Sequence, residues 1–292
     1  MLYAVLAAAA GLLLPDVAGG LAGGVPVMLA GQVLGVALTV TARQFAGVAR
    51  RPLAVLVALT VQWTVLPLAG VALFHLVSDP DLRTGILVVA VAPAEITSAL
   101  VAVLAAGSGA VALACMAGSL ALGTVLTPLW VGAVLGDTAH VDRVALVIEL
   151  ALSVAVPLLL GIAVRSLVPA VDRLRARALD LAAVCVVLVV FVSVGSARSF
   201  VLSGSLLPCV GLCAVLLAVG GALGGAVAWP WRRQPGVATA LAFPVGMREF
   251  GIAAAVALVV RPGAVGVAGV YGAMLMAGAP VLARWARATR VF

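Results

Sequence analysis

The chain has 292 residues, of which 65% are hydrophobic and only 9% are charged, and its mean hydropathy is +1.32. This composition excludes a soluble globular domain and indicates an integral membrane protein. The net charge of +7 arises from 17 basic residues, all of them arginine. Because all of these arginines except Arg248 fall between apolar segments, we interpret them as signals of membrane orientation and expect no nucleic-acid partner.

Ten apolar segments follow one another along the chain. Most have about the twenty residues that a membrane-spanning helix needs, and they lack the alternating pattern of β-barrel strands. The predicted spans are residues 2–15, 25–42, 53–77, 83–105, 109–135, 142–164, 177–197, 204–228, 236–260 and 263–283. The first lacks the basic start of a signal peptide, so we expect it to be retained as a membrane helix.

The arginines of the connecting loops are distributed unevenly. Twelve fall on the side of the N-terminus and four on the other side, and short arginine-rich loops stay in the cytoplasm. We therefore predict a multi-pass protein of the bacterial cytoplasmic membrane with both termini in the cytoplasm. The twelve are Arg43, Arg50, Arg51, Arg165, Arg173, Arg175, Arg177, Arg232, Arg233, Arg284, Arg287 and Arg290, and the four are Arg83, Arg143, Arg198 and Arg261.

The ten spans divide into two sets of five at "GDTAHVDR", residues 136–143. A repeat with an odd number of spans must enter the membrane from opposite sides in its two copies. We therefore predict an all-α membrane protein made of two inverted five-helix repeats, residues 1–138 and 139–292.

The fourth span of each half carries the same irregularity. "VAPAEITSALVAVL" contains Pro93 and Glu95, and "AFPVGMREFGIAAAV" contains Pro244, Arg248 and Glu249. A proline removes a backbone hydrogen-bond donor inside a helix, and lipid cannot satisfy the polar groups that are freed. We therefore predict that spans four and nine are discontinuous helices, broken at Pro93 and Pro244, that cross inside the protein and form a polar site at mid-membrane.

The three charged residues of these spans would together cost about 8–10 kcal/mol in lipid if they were unpaired. One interpretation is structural, because a carboxylate could neutralise Arg248 in an ion pair that fixes the crossing. The other is functional, because Arg248 could bind an anionic substrate, with Thr97, Ser98 and the exposed helix N-termini as further donors. The two interpretations are compatible.

Other polar residues within the spans are few. Gln62 in the third span serves either in binding or in a hydrogen bond between helices. The sequence contains neither a Ser-His pair nor a His-Glu-x-x-His motif, so we predict neither an enzyme nor a cofactor.

Three stretches resemble the bile acid:sodium symporter family. They are "GQVLGVALTVTARQFAGVARRPLAVLVALTVQWTVLPLAG", "APAEITSALVAVLAAGSGAVAL" with "LGTVLTP", and "PVGMREFGIAAAVAL". The resemblance implies a core domain of spans 3–5 and 8–10 and a panel domain of spans 1, 2, 6 and 7. It also implies a substrate site between these domains and transport by alternating access.

The sequence departs from this family at the positions where sodium-coupled members have polar side chains. Arg248 replaces a glutamine of the family, whereas Gln62 and Met247 are retained. A guanidinium at this place would supply the charge of a missing sodium permanently. The degenerate sodium positions are Ala99, Ala112, Met116 and Pro244.

We therefore predict a monomeric secondary transporter of small organic anions, specifically carboxylates, surrounded by membrane lipids and working without the family's sodium coupling. Transport would be passive or coupled to protons through a buried carboxylate. The alternatives are a sodium-coupled symporter with rearranged ion sites and a non-transporting, ligand-binding membrane sensor. The predicted substrate-binding or coupling residues are Gln62, Glu95, Thr97, Ser98, Met247, Arg248 and Glu249.

Overall fold

The computed structural model describes residues 2–42, 52–139 and 142–289, and every regular element in these ranges is helical. The α-helices are α1 Leu2–Leu13, α2 Pro15–Leu21, α3 Val25–Ala37, α4 Pro52–Leu76, α5 Pro80–Ala90, α6 Ser98–Leu104, α7 Gly109–Ala139, α8 Arg143–Leu150, α9 Val156–Leu167, α10 Arg175–Ser196, α11 Arg198–Ser203, α12 Leu206–Ala228, α13 Pro235–Gly246, α14 Phe250–Val260 and α15 Val265–Thr289. A π-helical turn at Ala151–Ala155 joins α8 to α9. The prediction of an all-helical protein is confirmed.

Seven helical segments of the described chain are long and apolar enough to cross a membrane. They correspond to the second, third, fifth, sixth, seventh, eighth and tenth predicted spans, so the chain is a multi-pass membrane protein. They are Pro15–Ala37, Pro52–Leu76, Gly109–Gly136, Arg143–Leu167, Ala170–Phe200, Leu206–Trp231 and Pro262–Ala288. Four of the loop arginines used to predict the orientation, Arg43, Arg50, Arg51 and Arg290, lie outside the described residues.

The other three predicted spans are shorter helices. The first is α1, which has 12 residues. The fourth is divided into α5 and α6 by non-helical residues 91–97, and the ninth is divided into α13 and α14 by residues 247–249. The two divided segments are the ones in which the sequence predicts breaks.

The two divided segments run antiparallel to each other. Asp81 at the start of α5 forms an ion pair with Arg261 just after α14. At the opposite end, the Ser108 amide, which follows α6, donates to the Gly236 carbonyl in α13 over 2.7 Å. The two interruptions therefore meet between these contacts.

Glycines allow close helix packing around this centre. Gly220 and Gly224 of α12 lie against the carbonyl groups of Gly246 and Ala242 in α13, and a Cβ atom at either position would collide with them. This small-residue spacing brings the two helix backbones together, as is common within membranes. Beside them, α10 packs along α1 and α3.

Candidate functional site

The two interrupted segments join through a short antiparallel β-bridge between Ala94 and Arg248. The Glu249 amide donates to the Pro93 carbonyl over 2.9 Å, and the Glu95 amide donates to the Met247 carbonyl over 3.0 Å. Each break therefore satisfies backbone groups that the other leaves without a helical partner, which lipid could not do.

The extended backbone of this bridge places Arg248 and Glu249 on opposite faces. Successive side chains of an extended segment alternate in direction. Arg248 lies on the same face as the small side chain of Ala94, whereas Glu249 shares the other face with Glu95. Within the described chain, Arg248 forms no ion pair with either glutamate, so the ion pair considered from the sequence is not formed.

The guanidinium of Arg248 lies in a cage of oxygen atoms and is only 1% exposed. Nη1 donates to the Ala92 carbonyl over 3.1 Å. Nη2 donates to the carbonyls of Val245 and Pro244 over 2.6 and 3.4 Å. Such carbonyl groups, freed by helix breaks on two segments, are the kind of ligand that coordinates cations in transporters.

The side-chain amide of Gln62 adds a further oxygen to this cage, in which Arg248 Nε has no partner within the described structure. With its oxygen toward Arg248, the amide accepts from Nη1 over 3.1 Å and from Nη2 over 2.9 Å. The same oxygen accepts from Ser119 Oγ, whereas the reverse orientation would direct the NH2 group at the N–H donors of the guanidinium. The described geometry therefore gives Gln62 a hydrogen-bonding role at Arg248.

Hydroxyl groups that the sequence analysis did not single out satisfy further polar groups of the breaks. Ser119 Oγ accepts from the Ala94 amide over 2.9 Å, and Thr127 Oγ1 donates to the Val91 carbonyl over 2.8 Å. The Tyr271 hydroxyl accepts from the Arg248 amide over 3.2 Å. Their sequence signal is weak, because single hydroxyl groups are common in membrane helices, where they bond to neighbouring helices.

The opposite face of the bridge carries the two glutamates, which are both fully buried. Glu249 accepts from the amides of Ile96 over 2.8 Å and Gly251 over 3.1 Å, so its carboxylate caps α14 and also contacts the other break. Glu95 Oε1 accepts from the amide and hydroxyl of Thr97 over 3.3 and 3.2 Å. The two carboxyl groups interact with each other directly.

A cavity of about 510 Å³ lies beside this acidic face, between α3, α6, α7 and α10. Thr97 and Ala99 lie at the wall of this cavity, and the role of Thr97 in substrate binding stays a prediction. Ser98 is buried, and its hydroxyl has no partner within the described structure. Arg248 does not line the cavity. Polar residues of the wall that the prediction did not include are Gln32, Thr39, Arg175 and Asp180.

The remaining predicted positions lie close to the break without supplying side-chain oxygens. Pro244 lies in the last turn of α13, and the helix ends two residues later at Gly246, so the second break begins at Met247 and not at the proline as predicted. Met247 lines a second, apolar cavity of about 250 Å³. Ala112 and Met116 are buried in α7.

The family of the chain follows from its sequence. The sequence model described as the Sodium Bile acid symporter family matches residues 26–205, and a comparison with curated proteins gave no significant match. The matched range contains the first break and ends before Arg248 and Glu249. Because it covers more than half of the 292 residues, the chain belongs to the sodium bile acid symporter family.

Proposed function

We propose that the protein is a secondary transporter of small organic anions that works by alternating access without the family's sodium coupling. In this proposal, α1 and the two divided segments count as spans, which gives ten spans in two inverted repeats. The core domain contains spans 3–5 and 8–10, and the panel domain contains spans 1, 2, 6 and 7. The protein lies in a bacterial cytoplasmic membrane as a monomer without a cofactor, with both termini in the cytoplasm.

The observation that carries the loss of sodium coupling is the oxygen cage around Arg248. Its guanidinium already donates hydrogen bonds to the oxygens of Ala92, Val245 and Gln62. A sodium ion at this place would have to displace a covalently attached cation of the same charge. Like charges at such short distance repel strongly in a buried site. A free cation is therefore replaced by one that cannot leave.

The cavity between α3 and α6 is the proposed substrate compartment. Its volume of about 510 Å³ suits a small organic molecule, and most of its wall is apolar. The exposed guanidinium of Arg175 supplies a cation at this wall, and Gln32 and Thr97 supply hydrogen-bonding groups. This combination favours an anion with an apolar body.

Uptake by the purified protein in proteoliposomes tests the proposal. Radiolabelled cholate, pyruvate and pantoate would be compared under an inward sodium gradient and under an equal gradient of choline. We expect at least one of these carboxylates to be taken up at the same rate in both. Uptake that requires sodium would instead support the sodium-coupled alternative with rearranged ion sites.

The substrate compartment has a separate test in two neighbouring arginines. Arg175→Ala removes the cation from the cavity wall, whereas Arg177→Ala removes an exposed arginine of the same helix that does not line the cavity. We expect Arg175→Ala to raise KM about tenfold or more, since a charge-assisted hydrogen bond contributes about 1.5–3 kcal/mol. Equal KM values for the two variants would remove Arg175 from the proposed site.

A further inference from the structure

The acidic face of the β-bridge has more buried polar groups than hydrogen-bond partners. Glu95 Oε2, the Ser98 hydroxyl and Gln32 Oε1 have no hydrogen-bond partner within the described structure, whereas the NH2 group of Gln32 lies against Glu249. All three residues are fully buried. Unpaired polar atoms are rare in protein interiors, so several of them around two carboxyl groups point to a bound species.

No charged group that packs against the two glutamates in the described structure neutralises their charge. From α3 the neighbour of Glu249 is the neutral Gln32. From α15 it is the neutral phenol of Tyr271, which interacts with Glu95. Of the groups on α10, Arg175 and Asp180 lie at the cavity wall and form no ion pair with either glutamate in the described chain.

Arg248 also leaves the pair without a contacting cation, because its guanidinium is held on the other face of the bridge. Two carboxylates in direct contact cannot both stay ionised in a buried site without such a cation. One proton shared between them lowers their charge to −1, and together with Arg248 the bridge is then neutral.

We infer that Glu95 and Glu249 form a proton-binding site that exchanges with the cavity during transport. This inference rests on the proposed function and adds the coupling ion to it. A single layer of residues lies between the two carboxyl groups and the cavity. It consists of Gln32, Ile96 and Thr97, which also line the cavity. The only bond that changes is an O–H bond, as a proton passes between a carboxyl oxygen and water.

Infrared difference spectroscopy of the purified protein in liposomes tests this inference without a substrate. Spectra recorded in mildly acidic and mildly alkaline buffer report the carbonyl stretch of protonated carboxyl groups, which shifts in heavy water. We expect a band in the wild type that disappears in both Glu95→Gln and Glu249→Gln. Glu149→Gln is the matched control, because Glu149 lies in the membrane helix α8 and forms no ion pair with Arg248 in the described structure.

Three results would overturn the inference. They are the lack of a protonated carboxyl band in the wild type, its persistence in both bridge variants, and its removal by sodium in place of choline at constant pH. If one variant does not fold, the wild-type spectrum and the other variant still decide. A wild type that lacks the band but shows sodium-independent uptake would refute only this inference. A wild type that has the band but requires sodium for uptake would refute only the proposed function.

Discussion

Replacing Arg248 with alanine should turn a filled cation cage into an empty one. The substitution removes hydrogen bonds to the carbonyls of Ala92 and Val245 and to the Gln62 amide, and leaves these oxygens buried. A buried hydrogen-bond acceptor that loses its partner costs about 1–3 kcal/mol. We expect the free energy of unfolding to fall by about this amount in choline buffer.

Sodium should then recover part of the lost stability, because the freed carbonyl oxygens can coordinate it. A ligand present at about ten times its Kd contributes about 1.4 kcal/mol to the folded state. We therefore expect sodium to raise the unfolding midpoint of Arg248→Ala by a shift that corresponds to this free energy. The unfolding midpoint of the wild type should not change, because its cage is occupied by the guanidinium.

The cysteines provide the assay for this comparison. Cys115, Cys185, Cys209 and Cys213 are all buried, so a thiol-reactive fluorophore labels them only as the protein unfolds. Titration with a denaturing detergent, in sodium and in choline, gives the free energies. Arg261→Ala is the control, because its exposed ion pair with Asp81 contributes at most about 1 kcal/mol. If Arg248→Ala loses no more stability than this control and its unfolding midpoint is the same in sodium and in choline, the oxygen cage is not a cation site.

Three further substitutions probe the contacts around the bridge. A double-mutant cycle of Gln62→Leu and Arg248→Met should give a coupling energy of about 0.5–3 kcal/mol, and additive losses would show that the amide does not act on the guanidinium. Glu249→Ala should lower the free energy of unfolding by about 1–2 kcal/mol, because it removes the cap of α14; an unchanged free energy of unfolding in the detergent titration would contradict that role. Gly224→Ala should cost about 1–3 kcal/mol because its methyl group meets the α13 backbone, whereas Gly225→Ala, which faces open space, should be neutral in the same titration.

The sequence was sufficient to predict the helical membrane fold and the two interrupted segments. Long apolar runs have few alternatives in a membrane, and a proline next to charges within such a run indicates a break. It predicted the location of the second break less well. Pro244 is accommodated in the last turn of α13 because the helix ends soon after it, so the break follows the proline at Met247.

The surroundings of the site depend on contacts that no local pattern contains. Ser119, Tyr271 and Gln32 come from three different helices, and each has the appearance of an ordinary isolated polar residue in an apolar span. The sequence of Arg175 and its neighbours indicates only an arginine that orients the chain, whereas the fold places it at the cavity wall. Tertiary packing decides which such residues reach the breaks.

The adjacency of Arg248 and Glu249 was the most misleading feature of the sequence. In a helix, neighbouring charges of opposite sign could share one polar environment, but the extended backbone at the break directs them to opposite faces. One face then holds a cation that is covalently fixed, and the other holds an acidic pair beside a cavity. Because a fixed charge cannot be released on either side of the membrane, Arg248 can set the electrostatic balance of the site but cannot itself carry energy from an ion gradient. In the proposed function, ion coupling therefore uses the carboxyl groups of the other face, where a bound proton is free to leave.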